Sequence, residues 1–133
     1  MPVTSTNSAK TVNDMTQEDK NTLLKDLCAR LPYGVKVHLV YDEDTEDIRE
    51  MGLGSLHDII FDNAEGKPYL RPMSSMTDKE ETLFRCELPA IAKTDAQLVA
   101  MRMELFLKGH LDFNHLIEKG LALKAPDDMY KTE

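Results

Sequence analysis

Val35-Lys-Val-His-Leu-Val-Tyr41 places Val35, Val37, Leu39 and Tyr41 on one face of an extended chain and Lys36, His38 and Val40 on the other. A period of two is the mark of a half-buried strand, because successive side chains in a strand point to opposite faces. Upstream, Leu31-Pro-Tyr-Gly34 turns the chain into that strand. Pro32 ends a preceding helix, since a residue before proline is pushed out of the helical region. That helix opens at Thr16, with Asp19 three residues on as its capping-box partner. Leu23, Leu24, Leu27, Cys28 and Leu31 follow at helical spacing as one buried stripe. Residues 1–14 are rich in Ser, Thr and Asn without periodicity and read as a disordered tail ahead of one domain over 15–133.

Downstream, Asp42-Glu-Asp-Thr45 makes a hairpin connection. A weaker strand is expected from Glu46 to Leu53, with Ile48 and Met51 inward. A third is expected from Leu56 to Asp62, on the β-rich run Ile59-Ile-Phe61. Asn63 to Gly66 reads as a turn. Lys67 to Arg71 reads as a short edge strand, because Pro68 lacks a ladder donor. Thr77-Asp-Lys-Glu80 is a capping box that opens a short helix carrying Leu83 and Phe84 and ending at Glu87-Leu-Pro89. Thr94-Asp-Ala-Gln97 opens another, to about Lys108, with Leu98, Met101 and Leu105 inward and Gly109 as its left-handed C-terminal residue. A last helix is expected over Asp112–Lys119. Leu121-Ala-Leu123 is then a brief apolar segment. The class is α+β: a small antiparallel sheet of three or four strands, open or curled, packed against an N-terminal helix and C-terminal helices.

The chain has 133 residues, 41% hydrophobic and 30% charged, enough for one core without disulfides or metal. Tryptophan is absent and there are eight methionines, so packing is adaptable rather than aromatic-locked. Met101 and Met103 read as core filler, because Met101 shares a stripe with Leu98 and Leu105. The net charge is −8, and the nine residues Asp42–Glu50 hold six acids and one base. With no basic face, nucleic-acid and membrane-surface binding lose their main electrostatic term. No run approaches the ~20 apolar residues of a membrane span, and the first ten residues lack a signal-peptide core. A cytoplasmic location is expected, and the two cysteines, Cys28 and Cys86, read as free thiols.

Most patterns that would carry chemistry fail. An EF-hand counted from Asp42 needs glycine and glutamate where Asp47 and Leu53 stand. His110 and His115 are five apart rather than the four that zinc sites on helices use, so no metal is expected. Ser74 and Ser75 lack the nucleophile elbow G-x-S-x-G. Gly52-Leu-Gly54 lacks the third glycine of a dinucleotide loop, and no cofactor is expected. The best surface candidate is the loop after Pro68: Tyr69, Arg71, Pro72, Ser74 and Ser75. An aromatic, an arginine and a rigid loop are residue types that hold interfaces together. The plainer alternative is a stiff sheet-to-helix connector.

Lys67-Pro-Tyr-Leu-Arg-Pro-Met-Ser-Ser-Met-Thr77, Gly109-His-Leu-Asp-Phe113, Leu116-Ile-Glu-Lys-Gly-Leu-Ala-Leu-Lys-Ala-Pro126 with Met129-Tyr130, and Leu31-Pro-Tyr-Gly34 resemble an uncharacterised family of short proteins from gut-bacterial genomes and their phages or mobile elements. The resemblance covers about a third of the chain. It implies a cytoplasmic, mobile-element setting and brings no functional residue with it.

The expected function is that of a non-enzymatic accessory protein that binds another protein, as a monomer or weak homodimer. One alternative is an acidic mimic of nucleic acid that blocks a DNA-binding host enzyme, although its excess charge sits in one short segment. Another is a small enzyme joining His38 or His57 to the loop serines.

Overall fold

The computed structural model describes residues 16–42, 45–61 and 65–130. The tail over 1–14, Asn63 and Ala64 of the expected turn and the acids Glu43 and Asp44 lie outside the described residues, while Glu65 and Gly66, also expected in that turn, are in a strand. Helix α1 spans Gln17–Arg30, with Thr16 and Asp19 forming the reciprocal capping box. A 3₁₀ turn, Leu31–Tyr33, carries the chain past Pro32 into strand β1, Lys36–Asp42. Strand β2, Thr45–Glu50, pairs antiparallel with β1. Helix α2 is Leu53–Phe61, strand β3 Glu65–Leu70, and a two-residue β4 lies at Leu123–Lys124. The strand order β2-β1-β3-β4 is an open sheet, with β3 antiparallel to β1 and parallel to β4. The class is α+β as expected, but the sheet is mixed rather than purely antiparallel.

The core lies on one face of this sheet. Val35, Val37, Leu39 and Leu70 meet Leu23 and Leu27 of α1, Leu56 of α2, and Leu116, Leu121 and Ala122 from the C-terminal part. Met51 is buried as expected, whereas Ile48 is 53% exposed on the outer face. Cys28 is exposed, as is Cys86. The α1 stripe instead buries Asp26 and Arg30, which are 2% and 0% exposed. Arg30 Nε donates to Asp26 at 2.5 Å, its Nη2 donates to the Leu111 carbonyl at 2.8 Å, and Asn114 donates to Asp26 at 2.8 Å. A paired, hydrogen-bonded charge is tolerated in a core where a lone one is not.

Four larger expectations are corrected as well. Leu56–Asp62 is not a strand; residues up to Phe61 are in α2. A short apolar run reads equally as strand or helix, and here capping and packing decide. The Gly52 N–H donates to Ser55 Oγ at 3.1 Å, and Leu56 and Ile59, three apart, face the sheet. A Cβ on Gly66 would lie 2.8 Å from Ile59 Cγ1 and closer still to Cδ1, so α2 sits directly on a strand glycine. β3 is a central strand despite Pro68, which is fully buried opposite Val37. β4 pairs only with Tyr69 and Leu70, so no β4 acceptor stands opposite the proline.

The third correction concerns Pro89. The helix opened by Thr77 continues through α3 (Asp78–Thr82), a π turn (Leu83–Glu87) and α4 (Leu88–Ile91). In the π turn the Leu88 N–H donates to Leu83 O. The next donor in that pattern would be residue 89, and proline has none. The Phe84 carbonyl so released accepts from Arg102 Nη2 at 2.9 Å and Nε at 3.2 Å. Arg102 comes from α5, Asp95–Lys108, whose N-terminus Thr94 caps. Its guanidinium also lies 4.1 Å from the Phe84 ring centroid.

The fourth is Asp112–Lys119, which forms consecutive turns rather than a helix. The Asp112 carboxylate accepts from the Leu116 and Ile117 N–H groups at 2.7 and 2.9 Å. Such local bonds compete with helix formation. His110 and His115 also adopt positive φ, 58° at each.

No residue between 72 and 108 is fully buried. Leu98, Met101 and Leu105 of α5 are half-buried, and Met103, expected in the core, is 37% exposed. An aromatic ladder joins this helical arm to the body. Phe84 stacks on Phe106 at 5.5 Å, Phe106 on Phe113 at 5.6 Å, and Arg30 lies over Phe113.

Candidate interaction cleft

Because β3 and β4 are parallel, their carboxyl ends open on the same edge of the sheet. Arg71 to Ser75 leaves one strand there and Ala125 to Asp127 leaves the other. Between them is an open cleft of about 620 Å³, with Thr77, Lys79, Glu80 and Leu83 on one wall and Lys124 and Tyr130 on the other. The 3₁₀ turn Met73–Ser75 shapes the first wall, and Ser75 Oγ donates to the Pro72 carbonyl at 2.6 Å. Ala125 N–H donates to Leu70 O at 2.8 Å and holds the second wall to the sheet.

Arg71 is the strut of the site. Its Nη2 donates to Glu80 Oε1 at 2.8 Å and its Nη1 to Oε2 at 3.0 Å, a bidentate pair. The same nitrogens reach the Ser75 carbonyl at 2.8 Å and the Gly109 carbonyl at 3.0 Å. Glu80 also accepts from the Thr77 N–H at 2.9 Å, completing the helix cap. The Arg71 hydrogen bonds hold the Glu80 carboxyl below the usual carboxylate range, reinforced by the Thr77 backbone. A Cβ on Gly109 would stand 2.9 Å from Glu80 Oε2 and 3.4 Å from Arg71 Nη1. Gly109 therefore makes room for this pair; its φ is −86°, and the left-handed residue is His110.

Four of the five loop residues read from the sequence thus gather at one cleft: Arg71, Pro72, Ser74 and Ser75. Arg71 serves it from behind, with its fork closed on Glu80. Tyr69 does not join them. It lines a smaller hollow of about 320 Å³ on the outer sheet face with His38, Glu65 and Lys67. There its ring meets His38 edge-on at 6.5 Å, and burial raises its phenol pKa.

Tyr130, which sequence reading passed over, couples the two places. Its hydroxyl accepts from the Lys36 N–H at 2.7 Å and donates to the Tyr69 carbonyl at 2.8 Å. Burial pushes its pKa up to about 12. Its ring stacks on His110 at 3.8 Å. Burial, with Arg30 and Arg71 nearby, lowers His110 to about 4. Nothing in the sequence within one helical turn of Tyr130 signals these contacts, which join residues 61 and 94 apart.

No histidine lines the cleft that holds Ser74 and Ser75. His38 Nε2 is 2.6 Å from Glu46 Oε1, His57 packs on Phe61 within α2, and His115 pairs with Glu118. Among the described residues no group of three His, Cys, Asp or Glu side chains could hold a metal ion, and no helix is long and apolar enough to cross a membrane. Within the acidic run, Asp47 is bonded to Arg49 and Glu46 to His38. Lys79 and Lys124 have no ion-pair partner among the described residues, whereas Arg71 is paired. No family model, curated protein or solved structure matches the chain.

Proposed function

We propose that this chain is a small cytoplasmic accessory protein that works without catalysis, by holding a segment of another protein in the cleft between residues 71–83 and 124–130. The observation that carries this reading is convergence: the proline-stiffened loop and the segment after β4 form opposing walls of one cleft of about 620 Å³. Concave sites with a few fixed polar groups are the usual form of a ligand site. The lining offers hydroxyls, lysines and proline faces, and among the described residues neither loop serine hydroxyl hydrogen-bonds to a basic side chain, which supports binding over chemistry. The mobile-element setting implied by the resemblance suits an accessory role.

Display selection of random peptides tests the proposal. Ser74→Trp sets a bulky ring on the cleft lining at a residue that makes no hydrogen bond to Arg71 or Glu80, and far-UV circular dichroism reports whether it folds. Peptides should enrich on wild type and not on folded Ser74→Trp. Equal enrichment on both, or none on either, refutes the proposal.

A further inference from the structure

We infer that the cleft selects an acidic protein segment, whose carboxylates are received by Lys79 on one wall and Lys124 on the other; this rests on the cleft being the binding surface. The chain as a whole is acidic, with a net charge of −8. The cleft lining departs from that balance, with three bases against two acids. Arg71 and Glu80 neutralise each other at 2.8 Å. Among the described residues, the lining then presents two lysines with no ion-pair partner, against Asp127. Lysine ammonium groups on flexible stems suit separated point charges. A compact dianion such as phosphate is better met by an arginine fork, and the fork in this cleft is already closed. Two cations on different walls instead match carboxylates spaced along a chain.

The remaining groups fit the same ligand. Ser74 is exposed and its hydroxyl has no hydrogen-bond partner among the described residues, so it can donate to a carboxylate or a peptide carbonyl. Asp127 lies on the Lys124 wall and repels a carboxylate from that end, which gives the segment a direction. Pro126 offers an apolar surface between the charges. The local field acts at short range, because ions screen beyond ~8 Å at physiological salt. An acidic partner is therefore held by the cleft although the rest of the surface repels it, and capture weakens as salt rises.

Backbone NMR of the full-length chain, titrated with capped hexaglutamate, hexalysine, a neutral Gly-Ser hexamer and inorganic phosphate, tests this. Hexaglutamate should move the signals of Ser74–Lys79 and Lys124–Asp127. Its affinity should fall at least about tenfold in Lys79→Glu/Lys124→Glu and on raising the salt. Lys79→Met/Lys124→Met, which keeps the stems and removes the charge, serves if the reversal does not fold. Unmoved cleft signals, unchanged affinity in the double variants, or an equal response to phosphate overturns the inference. A response to the neutral or basic peptide instead overturns the acidic preference while leaving the cleft as a binding surface.

Discussion

Arg71→Met removes four hydrogen bonds at once: two to Glu80 at 2.8 and 3.0 Å, one to the Ser75 carbonyl at 2.8 Å and one to the Gly109 carbonyl at 3.0 Å. The two side chains are 22% and 17% exposed. An exposed ion pair contributes ~0–1 kcal/mol, and breaking a fully buried one costs ~3–5 kcal/mol. At one-fifth exposure the cost should fall between, at ~2–3 kcal/mol. Glu80→Gln keeps an oxygen for the Thr77 N–H and should cost less, ~1 kcal/mol. The double variant should show a coupling of ~1–2 kcal/mol. Arg71→Lys should recover less than half of the Arg71→Met loss, since one ammonium cannot reach all three acceptor groups. Urea unfolding measures each as a shift in midpoint at constant slope. The pH dependence supplies a second check. The folded Glu80 pKa lies below its ordinary value of 4.5, so its stabilisation is complete above about that pH and is lost as pH falls through the folded value. The gap between wild type and Arg71→Met should therefore close in acid. A loss below ~0.5 kcal/mol at neutral pH, or a gap that stays constant in acid, would refute the role of this pair as the strut of the cleft.

Gly66→Ala should cost ~1–3 kcal/mol, because the new methyl enters the space of the Ile59 side chain, which must shift to admit it; thermal unfolding measures it. Arg102→Met should cost ~1–2 kcal/mol by leaving the Phe84 carbonyl unpaired and removing the guanidinium from its ring. Adding Pro89→Ala restores a donor near that carbonyl and should return part of the loss, seen as non-additivity in urea titrations. His110→Asn keeps a residue that tolerates the left-handed backbone and removes the titration. The folded His110 pKa of about 4 lies below 6.5, so wild type is at full strength above the higher value and weakens as pH falls between the two. With the ring only half-buried, the difference should be ~1 kcal/mol between about pH 7 and about pH 5, and His110→Asn should lose less than wild type over that span.

Signals confined to one turn or one strand were legible. The alternation over Val35–Leu39 and the caps at Thr16, Thr77 and Thr94 stand where the residues place them, whereas Tyr41, read onto the buried face, is 41% exposed where the register shifts after Val40. What escaped depended on a distant partner. Ile59-Ile-Phe61 is helical because Gly66 leaves a seat for it. Pro89 stays within the helical arm because Arg102, from the next helix, satisfies the carbonyl that it abandons. Asp26 and Arg30, spaced like a surface ion pair, are buried with added bonds from the Leu111 carbonyl and Asn114, and Arg30 Nη1 has no hydrogen-bond partner among the described residues. At the cleft, the loop wall could be read from Pro72, Ser74 and Ser75. The opposing wall could not, because a strand of only two residues brings it there.

That shortness bears on when the cleft comes into being. β1 and β2 are separated by two residues in sequence, whereas β4 reaches β3 only after more than fifty intervening residues are folded away. Closing a loop of that length carries an entropic cost before the two strand residues, the Tyr130 hydroxyl and the buried Leu121, Ala122 and Ala125 can offset it. We expect the C-terminal wall to dock late in folding and to open first in the native state, with amide exchange at Leu123–Ala125 faster than at Val37–Leu39. A ligand that bridges both walls would then also act as a clasp, slowing that opening and extending the lifetime of the assembled sheet edge.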